Sequence, residues 1–134
     1  PHKVQEIATG TGAQAAILAP LVPKIYTVER IKPLADQARQ RFRKLGLRNI
    51  RASYSDGTEG LLDFAPYDAI ITTAAAEEVP QALLEQLSPD GGRLVIPVGG
   101  RDRQTLTLIT RHDNSFEKTD LDPVIFVPLL TGQA

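Results

Sequence analysis

Near its start the chain has a short apolar stretch that enters a glycine-containing turn and leaves it in an alanine-rich segment. Residues 4–12 (VQEIATGTG) form the stretch and the turn, and residues 13–19 (AQAAILA) follow. A strand, a tight turn and a helix in this order are typical of a nucleotide-binding α/β unit. Gly10 and Gly12 permit positive φ and a close ligand approach, and the N–H groups at the helix start face the ligand. The turn is therefore a candidate cofactor site.

The composition excludes several classes of protein. The 134 residues suit a single domain, and with a net charge of -1 no overall field favours nucleic acid or an anionic membrane surface. No apolar run approaches the roughly 18 residues of a membrane span, and we recognise no signal peptide. The chain has no cysteine and only two histidines, His2 and His112, far apart in sequence. We therefore expect a cytoplasmic protein without disulfides or a metal centre.

The segment after the first helix predicts a second strand that ends in an acid. Residues 25–29 (IYTVE) are rich in β-branched and aromatic side chains. Glu29 lies 17 positions after Gly12, near the offset of an acid that binds ribose hydroxyls. The alternative is an ordinary solvated acid at a strand end.

Residues 32–45 predict the clearest helix. Four apolar side chains recur on one face: Leu34, Ala38, Phe42 and Leu45. The basic residues of this segment are mostly elsewhere on the helix: Arg39, Arg41, Arg43 and Lys44. We interpret them as a solvated face rather than a nucleic-acid contact, because no aromatic residues lie among them.

The remaining segments predict a mostly parallel sheet whose last two strands are antiparallel. Further strands are predicted at 49–53, 67–72 and 93–98, a loop with Asp-Gly turn chemistry at 54–60, and a helix at 79–87. After them, an alternating stretch at 105–110, a turn at 112–115 and a strand at 124–129 follow without a helix. Two strands joined in this way imply an antiparallel pair at one edge.

Several motifs, in this order, resemble the S-adenosylmethionine-binding core of the protein-L-isoaspartate O-methyltransferases along nearly the whole chain. The matching segments are 6–12, 28–31, 55–60, 67–71, 74–76, 79–83, 91–99 and 126–129. The resemblance implies one α/β domain over residues 1–134 with the Rossmann-like class I methyltransferase fold. Such a fold has a mostly parallel seven-stranded sheet, an antiparallel pair at one edge, and helices on both faces.

The resemblance also implies S-adenosylmethionine as the cofactor and assigns residues to it. Glu6 and the turn would hold the methionine and ribose portion, while Glu29 would bind the ribose hydroxyls. Asp56 would accept a hydrogen bond from the adenine amino group. The complete set of implied cofactor-binding residues is Glu6, Ala8, Thr9, Gly10, Thr11, Gly12, Glu29, Arg30, Ile31, Ser55, Asp56, Gly57 and Thr73.

Three positions depart from the family pattern. Ala8 stands where the family has its first glycine, so a methyl group that points towards the ligand should weaken cofactor binding or alter the ligand's pose. Ala13 replaces a common tyrosine. Gln5 replaces an apolar residue in a strand expected to be buried, where an unpaired amide costs roughly 1–3 kcal/mol.

A fourth departure concerns a whole region of the family. Its N-terminal region, with a Gln-rich loop and a hydroxyl-bearing catalytic residue, has no counterpart in these residues. We therefore expect an open acceptor cleft beside residues 73–76 and weak or absent methylation of isoaspartyl peptides, unless a second subunit supplies the missing wall. Self-association over exposed apolar surface is expected as well.

Three classes of function follow from these patterns. The first is a methyltransferase of protein repair that acts on an isoaspartyl peptide or a small molecule, and for it we nominate no catalytic acid or base. The second is a cofactor-binding core with lost or altered catalysis. The third is an NAD-binding oxidoreductase, since Gly10-x-Gly12-x-x-Ala15 also fits the dinucleotide fingerprint. The third is least favoured, because Glu6, the loop at 55–57 and the terminal strand pair suit the sulfonium cofactor better.

Overall fold

The chain folds around one seven-stranded sheet, and the computed structural model describes residues 2–8, 12–57, 59–100 and 102–124. Along the chain the elements are β1 (Lys3–Ile7), α1 (Ala13–Leu18), β2 (Lys24–Glu29), α2 (Lys32–Lys44), β3 (Ile50–Tyr54), a 3₁₀ turn (Leu62–Phe64), β4 (Ala69–Thr72), α3 (Gln81–Glu85), β5 (Asp90–Gly99), β6 (Gln104–His112) and β7 (Ser115–Val124).

The strand order in the sheet is β3-β2-β1-β4-β5-β6-β7. The first five strands pair in parallel, and β6 and β7 pair antiparallel at one edge, which confirms the predicted fold class. The chain leaves β1 towards β2 and β3 and then crosses to β4 on the other side of β1. The order therefore reverses between β1 and β4, and open α/β sheets bind ligands outside the carboxyl ends of the strands at such a point.

Apolar layers cover both faces of the sheet. Because successive strand residues point to opposite faces, β1 directs Val4 to one layer and Ile7 to the other. The first layer lies under α1 and α2 and includes Ala15 and Phe42, and the second lies under α3 and includes Leu83. Helices on both faces agree with the predicted architecture.

The α2 helix differs from its prediction at one end. It ends at Lys44, one residue before the predicted end, so Leu45 lies beyond the helix, is 59% exposed and does not share the buried face of Ala38 and Phe42. Ala35 takes a place on the buried stripe beside Ala38 and Phe42. Gly46 follows with φ +71, as expected of a glycine just past a helix end.

The last described strand, β7, spans Ser115–Val124, where the sequence pattern predicted no strand between the turn at 112–115 and residue 124. The predicted strand at 124–129 lies, apart from Val124, outside the described residues. Residues 115–121 of β7 are exposed, because an edge strand of a hairpin needs no apolar face. Pro123 is tolerated because edge strands accept residues without an N–H donor.

The helix α3 spans Gln81–Glu85 and is shorter than the predicted 79–87.

Gln5 is fully buried in β1, as the predicted strand requires. Its amide is nevertheless paired, since Nε2 donates to Gln86 Oε1 at 3.1 Å and Oε1 accepts from the N–H of Leu61 at 2.7 Å. The expected cost of an unpaired amide is therefore avoided by a partner 81 positions away in sequence.

The described residues limit what other sites the fold can hold. None of their helices is long and apolar enough to cross a membrane. They also contain no group of three or more His, Cys, Asp or Glu side chains that could hold a metal ion.

Candidate functional site

The carboxyl ends of β1, β2, β3 and β4 meet at one edge of the sheet and are connected by hydrogen bonds. The N–H of Ala8 donates to the Val28 carbonyl at 2.8 Å, which joins β1 to β2. The Thr73 hydroxyl donates to the Ala8 carbonyl at 3.2 Å, which joins β4 to β1. The N–H of Ser55 donates to the Glu29 carbonyl at 3.0 Å, which joins β3 to β2. The structure thus brings these predicted site residues to one edge.

Glu29 ends β2 with a buried side chain that is 5% exposed. Its Oε2 accepts a hydrogen bond from the N–H of Ile31 at 3.0 Å, so the carboxylate is fixed against the turn that begins α2. Between them lies Arg30, whose half-buried side chain has an Nε without a hydrogen-bond partner among the described residues. A fixed carboxylate at a strand end is the arrangement expected for a group that accepts hydrogen bonds from ribose hydroxyls.

Glu6 is buried in β1, with 1% of its surface exposed. Within the described part of the chain its Oε1 has no hydrogen-bond partner, and neither has the hydroxyl of Thr27, its neighbour in the β1–β2 register. Burial, and secondly the negative charge of Glu29, raise the pKa of the Glu6 carboxyl from its ordinary value of 4.5 to about 7. A buried carboxyl with an unpartnered oxygen is a group that a polar ligand can satisfy.

The loop after β3 carries the residues that the resemblance assigns to adenine. Gly57 is buried, and Ser55 and Asp56 are half-buried. The N–H of Glu59 donates to the Asp56 carbonyl at 3.2 Å and closes the turn between them. The loop therefore has an ordered start beside Glu29.

Only part of the glycine turn belongs to the described residues. The predicted residues Thr9, Gly10 and Thr11 lie outside the described residues. Gly12 has φ +84, as its predicted conformational role requires. A Cβ on Gly12 would lie 2.8 Å from the ring of Phe42, so packing against α2 is a further reason for glycine at this position.

The conformation of Ala8 was not predicted from the sequence. Its φ of 69° lies in the left-handed region, where a Cβ costs about 1–2 kcal/mol. The family resemblance contained the signal, because a position where relatives have glycine is often one that needs positive φ.

We expect Ala8→Gly to stabilise the fold and to tighten binding of S-adenosylhomocysteine by up to about tenfold. Relief of about 1–2 kcal/mol of backbone strain exceeds the roughly 0.4–1 kcal/mol that glycine adds to the unfolded-chain entropy. Removal of the methyl group beside the turn also gives the ligand room. Denaturant unfolding and calorimetric titration measure the two effects.

Asp113→Gly is the matched control, because Asp113 also has positive φ (54°) but lies in the β6–β7 turn. It should change stability and leave the affinity unchanged. Weaker binding by a folded Ala8→Gly protein would show instead that the methyl group contacts the ligand.

A cavity of about 520 Å³ lies elsewhere, between α2 and the edge strand β3. It is lined by Arg39, Phe42, Arg43, Gly46, Leu47, Arg48, Ile50, Arg51 and Ala52. None of the predicted cofactor-binding residues lines it. The candidate site is therefore defined by its strand ends and their hydrogen bonds.

Comparison with known proteins gives a consistent family. A family model described as Protein-L-isoaspartate(D-aspartate) O-methyltransferase (PCMT) matches residues 1–134. The protein-L-isoaspartate O-methyltransferase of Pseudomonas paraeruginosa is 55% identical over 130 residues, which cover 97% of this chain and 61% of the relative. That of Cellvibrio japonicus is 55% identical over 136 residues, covering 99% and 60%. The chain spans about three fifths of the length of these curated relatives.

Solved structures agree with the fold. One described as a protein-L-isoaspartate O-methyltransferase superimposes with a TM-score of 0.87 at 28% identity, over 95% of this chain and 41% of that chain. The structure of a Plasmodium falciparum protein assigned to the same enzyme type, in complex with S-adenosyl-L-homocysteine, gives 0.78 at 23% identity, over 96% and 66%. At that identity the second similarity shows the fold alone.

Proposed function

Because the chain belongs to the protein-L-isoaspartate O-methyltransferase family, we propose that it binds S-adenosylmethionine for methyl transfer to the carboxylate of isoaspartyl residues in peptides or proteins. The observation that carries the proposal is the meeting of Glu6, Glu29, Ser55 and Thr73 at the carboxyl edge of β1 to β4, where the strand order reverses. This is the expected ligand position in an open α/β sheet.

Each residue has a chemical role in this proposal. Glu29 accepts hydrogen bonds from the ribose hydroxyls, and Glu6 lies on the neighbouring strand beneath the methionine portion. The half-buried Ile31 packs against adenine, while Asp56 accepts from the adenine amino group and buried Gly57 lets the backbone approach the ring.

The cofactor, when bound, supplies an activated methyl group on a sulfonium. An isoaspartyl carboxylate is ionised at neutral pH and is already nucleophilic, so the transfer needs no general base. The protein therefore acts by holding the two reactants in line and by excluding water. In keeping with this mechanism, the roles proposed for the described residues are to bind and orient the cofactor, and none of them is assigned as an acid or a base.

Calorimetric titration with S-adenosylhomocysteine and, separately, with NAD tests the proposal. We expect binding of the former and none of the latter. A methyl-transfer assay with an isoaspartyl peptide and its aspartyl counterpart then separates an active enzyme from a cofactor-binding core without turnover. Binding of NAD alone would favour the oxidoreductase and contradict the proposal.

Glu29→Ala should weaken binding of S-adenosylhomocysteine about 10- to 150-fold. The lost hydrogen bonds to a charged acceptor are worth about 1.5–3 kcal/mol. Glu29→Gln should lose less, because an amide oxygen can still accept from the N–H of Ile31 and from one hydroxyl. Titration of the three proteins gives the comparison.

Glu117→Ala, a change at an exposed glutamate on β7, is the control and should bind as the unchanged chain does. An unaltered affinity of Glu29→Ala would remove Glu29 from the site.

A further inference from the structure

We propose that Gln5 and Gln86 are positioning residues for the cofactor, because their side-chain amides fix the loop that carries Asp56 and Gly57. The inference rests on the proposed function, since it concerns the loop that would contact adenine. It assigns a role to two buried amides that are not among the predicted cofactor-binding residues.

Three hydrogen bonds form a closed ring with the backbone of the loop. The N–H of Leu61 donates to Gln5 Oε1 at 2.7 Å, and Gln5 Nε2 donates to Gln86 Oε1 at 3.1 Å. Gln86 Nε2 then donates to the Glu59 carbonyl at 2.5 Å. The two amides thus bind the backbone on both sides of Gly60, and we call this arrangement the amide ring.

The orientation of both amides is fixed by the backbone groups at the ends of the ring. Leu61 offers a donor, so Gln5 must present its oxygen there and its NH₂ group to Gln86. Glu59 offers an acceptor, so Gln86 must present its NH₂ group there and its oxygen to Gln5. Both glutamines are buried, at 0% and 1% exposure, and a broken ring would leave buried polar groups unpaired.

Gly60 is held tightly inside the amide ring. Its φ is +63, and a Cβ would lie 2.7 Å from Gln86 Oε1 and 2.8 Å from Gln5 Oε1. The loop backbone therefore approaches both side chains as closely as a residue without a Cβ allows. A side chain at position 60 would open the ring.

The amide ring fixes one end of a loop whose other end is already fixed. At the start, the N–H of Ser55 donates to the Glu29 carbonyl, and the N–H of Glu59 donates to the Asp56 carbonyl. At the end, the Tyr67 hydroxyl adds a 2.5 Å hydrogen bond to the Leu61 carbonyl. Glu59, whose carbonyl the amide ring holds, thus donates its N–H directly to the carbonyl of Asp56, so the ring fixes the position of Asp56 and of the adjoining Gly57.

Strand β1 thereby connects the two halves of the proposed site. Alternation along the strand sends Gln5 to the face of Ile7 and Glu6 to the face of Val4. Glu6 lies beside the turn that would hold the methionine portion, and Gln5 reaches the loop that would hold adenine. Two neighbouring residues of β1, Gln5 and Glu6, therefore act on the adenine portion and the methionine portion of the same ligand.

The test uses Gln5→Met and Gln86→Met, which keep the volume of the side chains but remove the amides. In the ligand-free protein, hydrogen exchange at the amides of Glu59 and Leu61 should accelerate at least about tenfold. Affinity for S-adenosylhomocysteine and for 5′-methylthioadenosine, which lacks the amino-acid portion, should fall by the same factor, about tenfold. The double variant should be no weaker than the weaker single one, because either change opens the amide ring.

Gln104→Met is the matched control, since Gln104 is also a buried amide (1% exposed) but lies in β6. It should leave both the exchange of the loop and the affinity unchanged. Gln5→Asn provides a milder variant that stays polar but is too short by one methylene to close the ring.

Several outcomes would overturn the proposal. Unchanged exchange in the Gln5 and Gln86 variants would show that the amide ring does not hold the loop. Faster exchange with unchanged affinity would show that the held loop does not position the ligand. If the unchanged chain bound no S-adenosylhomocysteine, the proposed function would fail, and the exchange experiment would still decide whether the amide ring orders the loop.

Discussion

Replacement of Gly12 by alanine should destabilise the folded chain by about 2–5 kcal/mol. The residue has φ +84, where a Cβ costs about 1–2 kcal/mol. The new Cβ would also lie 2.8 Å from Cε1 and Cζ of Phe42, and overpacking of this kind costs about 1–3 kcal/mol. Phe42 is 3% exposed and packed among Ala15, Ala38 and other apolar side chains, so its ring cannot swing away freely. Urea unfolding measures the loss.

Gly46→Ala separates the two contributions to this loss. Gly46 has φ +71, but nothing lies within 4 Å of an added Cβ, so only the backbone cost of about 1–2 kcal/mol is expected. In the Gly12→Ala background, Phe42→Leu should recover part of the stability, because the shorter side chain makes room for the methyl group. Equal losses for the two glycine variants would show that Phe42 yields without cost.

The two properties of Gly12 illustrate what a sequence can and cannot reveal. Its positive φ was predicted from a glycine between a strand and a helix, and this is a local property of the turn. Its contact with Phe42 depends on how α2 crosses α1, thirty positions further along the chain. Such a contact has no local signal, so the sequence supported only the ligand-based interpretation of this glycine.

The parallel strands were predictable because a buried strand produces a recognisable residue pattern within a short stretch of sequence. A buried parallel strand is apolar without alternation, as in residues 69–71, and residues 25–28 are rich in β-branched and aromatic side chains. The exposed strand β7 was not predicted, for the opposite reason. It contains Glu117, Lys118 and Asp120, and nothing in its composition separates it from a solvated loop.

The sequence predicted which residues lie at the strand ends of the candidate site, but it did not predict which side chains form hydrogen bonds with one another. Glu29 ends β2 and Ser55 follows β3, and parallel strands bring their carboxyl ends to one edge. Gln5, in contrast, looked like an unsatisfied amide, because its partner Gln86 is distant in sequence. Ala8 was expected to touch the ligand, but its left-handed φ was unexpected, since alanine rarely adopts that conformation.

The stability of the ligand-free chain should fall as the pH rises from about 4.5 to about 7, and Glu6 should be the cause. The pKa of its carboxyl is raised to about 7, chiefly by burial and secondly by the charge of Glu29. In this pH range the folded state binds a proton that the unfolded state has lost, so the free energy of unfolding decreases with pH. A pKa of about 7 in place of 4.5 corresponds to roughly 3 kcal/mol, fully lost above pH 7.

Glu6→Gln tests this expectation, because a neutral amide of nearly the same shape has no proton to lose. At pH 5 the two proteins should unfold with similar free energies, and at pH 8 the variant should be more stable by up to about 3 kcal/mol. Glu85→Gln, a change at an exposed glutamate on α3, should alter stability by less than about 0.5 kcal/mol at either pH. The difference between Glu6→Gln and the unchanged chain cancels the contributions of all other titrating groups. A difference that stays constant between pH 5 and pH 8 would mean that Glu6 ionises like a solvated glutamate and is not held neutral by its burial in β1.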